Sequence, residues 1–77
     1  MNRRLSSLKV GQSGKIILVD VADKKVKQHL LDMGLVRGTR VKVKKIAPSG
    51  SPIDIELRGY ELCVGRKELD NIIVEIT

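Results

Sequence analysis

The chain has 77 residues, which is enough for one small domain but too few for a large buried core. Its single cysteine excludes an intrachain disulfide and a thiolate metal cluster, and no apolar run approaches the ~20 residues of a membrane-spanning helix. The net charge of +6 is uneven, because residues 1–45 carry 12 Lys or Arg against three acids, whereas residues 46–77 carry three against six. This asymmetry favours an anionic partner for the first half: nucleic acid, lipid headgroups or an acidic protein face.

The N-terminal segment predicts an entry turn followed by a strand. Three apolar side chains precede Gly11 and are expected to pack against the domain: Leu5, Leu8 and Val10. Residues 13–21 then read SGKIILVDV, a β-branched and apolar run that predicts a strand buried on both faces. The basic segment MNRRLSSLKVG lacks the apolar region of a signal peptide, so we expect a cytoplasmic protein.

A helix of about three turns is predicted for residues 23–33. Asp23 suits the N-cap, because its carboxylate can accept from free backbone donors of the first turn. Gly34 suits the left-handed conformation just past the helix end, with Leu35 folding back on Leu30 as in a Schellman motif. Three apolar residues share the buried stripe: Val26, Leu30 and Met33.

The second half predicts three meandering strands and a separate last strand. Residues 40–46 and 53–57 alternate between apolar and charged side chains, and the turn cluster APSGSP lies between them at residues 47–52. The doublet Lys44–Lys45 breaks the alternation and predicts a bulge or a strong twist. A two-residue hairpin at Arg58–Gly59 leads to a strand that places Tyr60 in the core, followed by a short helical turn or loop over 65–71 and a strand over 72–76.

These elements predict one all-β domain over residues 1–77, with one short helix in the first connection. Five short strands around an aliphatic core indicate a small closed or partly open barrel, because closure removes exposed strand edges.

Catalysis is not expected from this sequence. Asp54 and Glu56 share a strand face and could pair as acid and base, but placing residue 43 opposite 55 sets them against Lys44 and Lys42, which they would neutralise. The only histidine, His29, is expected on the helix surface. There is no phosphate-binding loop motif and no cluster of metal ligands, so no cofactor, metal site or tight iron binding is predicted.

Nucleic-acid binding and proline-rich-peptide binding are two common functions of small barrels, and both depend on aromatic residues. Small basic barrels bind nucleic acid by combining cations with stacking aromatics, but this chain has one aromatic residue, so only weak phosphate contact is expected and no nucleic acid partner is assigned. Grooves for proline-rich peptides also need aromatic walls. Protein binding through aliphatic and polar contacts remains the favoured class.

An ordered set of motifs covers nearly the whole chain: L-x-x-L-x-x-G ending at Gly11, HLLDMGL at 29–35, RVKVKKIAP at 40–48, SGSPIDIEL at 49–57 and GYEL at 59–62. This set resembles the ferrous iron transport protein A (FeoA) family. The family often has an acidic residue where this chain has Ser51, so a role for that carboxylate is not carried over.

The resemblance implies an SH3-like five-stranded barrel in a cytosolic accessory protein of bacterial ferrous iron uptake. Its implied partner is the membrane ferrous iron transporter with a GTP-binding cytosolic domain. The same fold forms the C-terminal domain of iron- and manganese-dependent repressors, so the alternatives are a stand-alone relative of that domain and a basic module that binds nucleic acid. Weak self-association is also compatible with such a small module.

The loops left free by strand pairing predict a docking surface. We expect the basic helix, the turn after it and the 47–52 loop to flank one end of the barrel, with Val36 as an exposed apolar anchor. The predicted partner-binding residues are Lys24, Lys25, Lys27, Val36, Arg37, Pro48 and Pro52.

Overall fold

The computed structural model describes residues 2–77 and contains strands, two α-helices and one 3₁₀ turn. In chain order the elements are β1 (Asn2–Arg4), a 3₁₀ turn (Leu5–Ser7), β2 (Ser13–Val19), α1 (Lys24–Asp32), β3 (Arg40–Ile46), β4 (Ile53–Leu57), β5 (Tyr60–Val64), α2 (Arg66–Leu69) and β6 (Ile72–Ile76). The helix α1, the hairpin between β4 and β5, the helical turn α2 and the last strand all follow the sequence-based expectation.

The strands form one antiparallel sheet in the order β1-β6-β2-β3-β4-β5. This corrects the prediction of a five-stranded barrel, because the described residues form six strands in a sheet that is not closed, with β1 and β5 at its edges. The missed strand is β1, which pairs with β6 through Asn2–Arg4. Its three residues are polar and exposed, so they carry no apolar alternation from which a strand could be recognised.

A bulge in β2 explains why both of its faces looked apolar. The register with β6 shifts between Ile16 and Leu18, which places Ile16 and Val19 on the core side despite their odd spacing. Leu18 therefore points outward and is 52% exposed. The expectation of a strand buried on both faces is wrong at this residue, and the strand ends at Val19 rather than at residue 21.

The predicted bulge at Lys44–Lys45 is confirmed, and it changes the expected pairing. Lys42 lies opposite Glu56 as expected, but the register then shifts so that Lys45, not Lys44, lies opposite Asp54. The displaced Lys44 instead places its Nζ 4.0 Å from Oε2 of Glu56. Both side chains are substantially exposed, so this pair contributes at most about 1 kcal/mol.

The helix α1 begins and ends as its sequence predicts. The Asp23 carboxylate accepts hydrogen bonds from the backbone N–H groups of Lys25 and Val26, at 2.8 and 3.3 Å. At the other end Gly34 has φ +97°, and the N–H of Leu35 donates to the carbonyl of Leu30 at 3.0 Å. This is the Schellman geometry, with both leucines fully buried.

The β4–β5 hairpin has the predicted two-residue loop, with φ values of +49° at Arg58 and +83° at Gly59. Leu57 pairs with Tyr60, so the tyrosine lies on the core side of the sheet as expected. It is nevertheless 43% exposed, which corrects its placement inside the core. Tyr60 lies at the end of the sheet, where its ring reaches past the core to the C-terminal end of α1.

One aliphatic cluster joins the elements, with buried residues from every strand except β1 and from both helices. Leu5 and Leu8 of the entry segment join this cluster, whereas Val10 is 59% exposed and does not pack as predicted. Ser6 fastens the entry segment to α2, because its buried hydroxyl donates to the Asp70 carboxylate. The largest buried side chains are Leu5, Leu8, Ile16, Leu30, Leu35, Ile53, Ile55, Leu57, Leu69 and Ile72.

Candidate protein-docking surface

The first turn of α1 presents three exposed lysines: Lys24, Lys25 and Lys27. The N-terminus of a helix carries partial positive charge, so lysines there oppose the helix dipole and cost a few tenths of a kcal/mol each. Apart from the N-cap Asp23, the first turn contains no acidic residue that would offset this cost. Helix stability therefore does not explain the basic first turn.

An apolar groove lies between α1 and β2. Ile17, Leu18 and Val19 form its β2 wall, and Leu31 lines it from the helix. Leu18 is the most accessible of these side chains. Two cations complete the lining: Lys27 from the helix and Arg37 from the turn that follows it. We call these six residues the α1–β2 groove.

Val36, the apolar anchor predicted from the sequence, is less exposed than expected. Val36 was expected to be exposed, but it is only partly accessible, and its N–H donates to the carbonyl of Gly34 at 2.9 Å. Leu18 is the exposed apolar side chain next to the cations. The sequence did not reveal this residue, because only the bulge in β2 turns it away from the core.

The 47–52 loop does not join the groove, in contrast to the expectation that both flank one end of the domain. The turn before β3 faces the β4–β5 hairpin, where Arg58 donates to the Thr39 hydroxyl at 3.4 Å. The 47–52 loop follows the far end of β3 and contacts α2, where the Arg66 N–H donates to Oγ of Ser51 at 3.1 Å. Seven residues of β3 separate the two regions, about 20 Å of strand.

Pro48 and Pro52 are both exposed on that distant loop. They line a separate shallow depression together with Lys45, Ile46, Ala47 and Asp54. The structure thus brings Lys27 and Arg37 together in one groove, keeps Lys24 and Lys25 on the same helix, and places the two prolines elsewhere.

Asp54 and Glu56, the carboxylates considered for catalysis, are both engaged by neighbouring side chains. Glu56 lies near Lys44, as described above. Asp54 is the cross-strand partner of Cys63. The hydrogen bond between the Asp54 carboxylate and the Cys63 thiol is the main reason that the pKa of the thiol lies above its ordinary value. Desolvation and the negative charge of Asp54 raise this pKa further. The thiol is therefore held in its protonated, weakly nucleophilic form at neutral pH.

Neither a cluster of metal-ligating side chains nor a membrane-spanning helix is found among residues 2–77. Among residues 2–77, no three His, Cys, Asp or Glu side chains lie close enough to hold a metal ion together. No helix in this described part of the chain is both long and apolar enough to cross a bilayer.

Comparison with solved structures identifies similar folds. A manganese-dependent transcriptional repressor in complex with manganese matches at a TM-score of 0.91 and 18% identity, over 99% of this chain but 37% of the repressor. FeoA of Stenotrophomonas maltophilia, a zinc complex described as a prokaryotic SH3 domain protein, matches at a TM-score of 0.80 and 22% identity, over 97% of this chain and 89% of that protein. At these identities the similarity establishes the shared SH3-like fold.

Two further matches establish the family. The solution structure of FeoA from Chlorobium tepidum matches at a TM-score of 0.88 and 39% identity, over 96% of this chain and 70% of that protein. The family model described as the FeoA domain matches residues 3–76. The chain therefore belongs to the FeoA domain family.

Proposed function

We propose that this protein is a cytoplasmic, non-enzymatic accessory factor of bacterial ferrous iron uptake that binds the membrane ferrous iron transporter with a GTP-binding cytosolic domain. Membership of the FeoA family supports the link to iron uptake. The relative from S. maltophilia is described as a candidate activating factor of ferrous iron transport, which is the role proposed here.

The observation that carries the binding mode is the exposed Leu18 in the α1–β2 groove, which Lys27 and Arg37 also line. An apolar anchor with a polar rim is the usual arrangement of a protein-binding hot spot, because the anchor is desolvated on binding while the rim excludes water. Leu18 belongs to β2, which pairs with both β3 and β6, so this apolar side chain is held by the sheet rather than by a loop.

The lysines of α1 extend the same surface. Lys24 and Lys25 lie one turn before the groove and are unfavourably placed for the helix itself. A cationic rim would speed encounter with an acidic cytosolic surface of the transporter more than it would add affinity. Val36 is a partly buried residue of the turn that also carries Arg37, and it is proposed as a further contact at the edge of this surface.

Pro48 and Pro52 are proposed as a second contact. They are exposed at the far end of β3, and a partner domain larger than this chain could span the ~20 Å between the loop and the groove. Contact at two separate patches would make the loop contribution independent of the groove, so variants in the two regions should have additive effects on affinity.

Two measurements test the proposed function. In a strain that lacks this protein but keeps the transporter, uptake of labelled ferrous iron should fall and should recover when the protein is restored. The purified protein should bind the detergent-solubilised transporter in surface plasmon resonance, and competition by the transporter's isolated cytosolic domain would locate the contact. Normal uptake in the deletion strain would refute the proposed function.

A further inference from the structure

A further cleft, of about 430 Å³, lies where β2, β3 and the β4–β5 hairpin meet. Three cationic side chains line it: Arg40 and Lys42 from β3 and Arg58 from the hairpin. Ser13 of β2 contributes a hydroxyl group. We call these four residues and Glu56, the acidic residue of the lining, the β3 basic cleft.

The charges in the cleft do not balance. Arg40, Lys42 and Arg58 have no carboxylate of the described residues within 4.0 Å, and Glu56 lies at that distance only from Lys44, outside the lining. Three cations against one carboxylate leave two positive charges in one concave site. Such a site focuses the field and attracts an anion of matching charge.

Arg58 occupies a position that its residue type does not favour. It is the first central residue of the hairpin loop at φ +49°, the left-handed conformation, where Asn, Asp and Gly are the usual residues. Its guanidinium turns back toward β3 and donates to the hydroxyl of the buried Thr39 at 3.4 Å. This contact holds the guanidinium beside the cleft, and an unfavourable backbone conformation at such a site is grounds for a functional hypothesis.

We propose that the β3 basic cleft binds a dianionic phosphate group. A phosphate dianion matches the two uncompensated charges, whereas a single carboxylate or phosphodiester would leave one of them unpaired. The planar guanidinium groups of Arg40 and Arg58 suit bidentate contact with phosphate oxygens, and Lys42 can donate to a third. The Ser13 hydroxyl lies 3.4 Å from that of Thr77, so it can donate to a phosphate oxygen while it accepts from Thr77. The site is separate from the α1–β2 groove and does not depend on the proposed iron-uptake role.

The ligand chemistry can be tested with two small phosphate esters that differ by one methyl group and, as a result, by one negative charge. Methyl phosphate is mostly dianionic at pH 7.5, since the second pKa of a phosphate monoester is about 6, whereas dimethyl phosphate is a monoanion. Titration into the labelled full chain at constant ionic strength, followed by ¹H–¹⁵N NMR, should give saturable shifts at Arg40, Lys42 and Arg58 with methyl phosphate. Inorganic phosphate and guanosine monophosphate then distinguish a free phosphate from a nucleotide as the source.

Arg58→Asn is the sharpest variant, because Asn-Gly is a favoured pair for this loop and the domain should fold at least as well. It should weaken methyl phosphate binding roughly tenfold or more, the effect of losing a charge-assisted contact. Arg40→Gln should act in the same direction. Lys67→Gln removes one exposed charge on α2 and should leave the dissociation constant within about twofold, because distant exposed charges are screened.

Three results would overturn the proposal: no saturation by methyl phosphate, equal affinity for dimethyl phosphate, or equal losses in Arg58→Asn and Lys67→Gln. Each would mean that the cleft attracts anions only through the net charge of the protein. Saturation that is lost selectively in Arg58→Asn while thermal stability is kept would support the site.

Discussion

Tyr60 donates its hydroxyl hydrogen to the backbone carbonyl of Met33, and so joins β5 to the C-terminal end of α1. The single aromatic side chain of the protein thus fastens the helix to the sheet.

Tyr60→Phe should lower the free energy of unfolding by about 0.5–1.5 kcal/mol, the usual net value of one hydrogen bond. The ring and its packing are retained, so the slope of urea denaturation should stay constant while the midpoint falls. An unchanged midpoint would show that water replaces the tyrosine at Met33 without loss.

Gly34→Ala should be more destabilising than Gly38→Ala. Both glycines have positive φ, +97° and +93°, so alanine pays about 1–2 kcal/mol of backbone strain at either position. A Cβ at Gly34 would also lie 2.8 Å from the Tyr60 hydroxyl oxygen, whereas a Cβ at Gly38 meets nothing within 4 Å. Both variants carry the backbone strain, but only Gly34→Ala adds the clash. The difference between their free energies of unfolding, measured by urea denaturation, therefore reports the clash alone.

The double variant Gly34→Ala with Tyr60→Phe provides the control. Removal of the hydroxyl relieves the clash, so the double variant should lose less stability than the sum of the two single variants. Simple additivity would mean that Tyr60 moves aside freely and that the Cβ contact has no energetic consequence.

Asp54→Asn should lower the pKa of the Cys63 thiol. The Asp54 hydrogen bond is the main cause of the raised pKa, with desolvation and the carboxylate charge adding to it. At alkaline pH the parent should therefore hold a smaller fraction of thiolate than the variant, and it should react more slowly with iodoacetamide. The midpoint of the rate against pH gives the pKa directly, and an identical midpoint in both proteins would contradict the assignment.

The sequence predicted the local structure at positions where only a few residue types suit the backbone conformation. Asp23 and Gly34 mark the two ends of α1, and Gly59 marks the hairpin, because each is among the few residues suited to its conformation. The doublet Lys44–Lys45 revealed its bulge because charges on neighbouring positions cannot both face the core.

The proposed docking surface was less predictable, because it depends on features without a sequence signal. The bulge between Ile16 and Leu18 lies in a run of apolar residues, where either face could be buried. Pro48 lies far from Lys27 because β3 runs from the turn after α1 to the 47–52 loop, and no residue type in either region indicates this separation. The nearness of Arg58 to Arg40 required the register of β3 on β4.

Leu18→Asp should weaken binding to the transporter by roughly tenfold or more, as expected when the anchor of a hot spot is replaced by a charge. The residue is 52% exposed and makes little contribution to the core, so the domain should remain folded. A lower association rate is expected for Lys24→Glu combined with Lys25→Glu, because reversed rim charges repel an acidic partner. Surface plasmon resonance resolves both effects, since the first acts mainly on dissociation and the second on association.

Val10→Asp is the matched control for Leu18→Asp. Val10 is an equally exposed apolar residue, 59% accessible, but it lies outside the α1–β2 groove. The two variants carry the same added charge, so a difference between their affinities reports the groove alone. If Val10→Asp weakens binding as much as Leu18→Asp does, the loss comes from net charge, and the transporter contacts another surface. If only Leu18→Asp loses affinity while both variants keep the circular dichroism spectrum of the parent, the exposed leucine of β2 is the anchor.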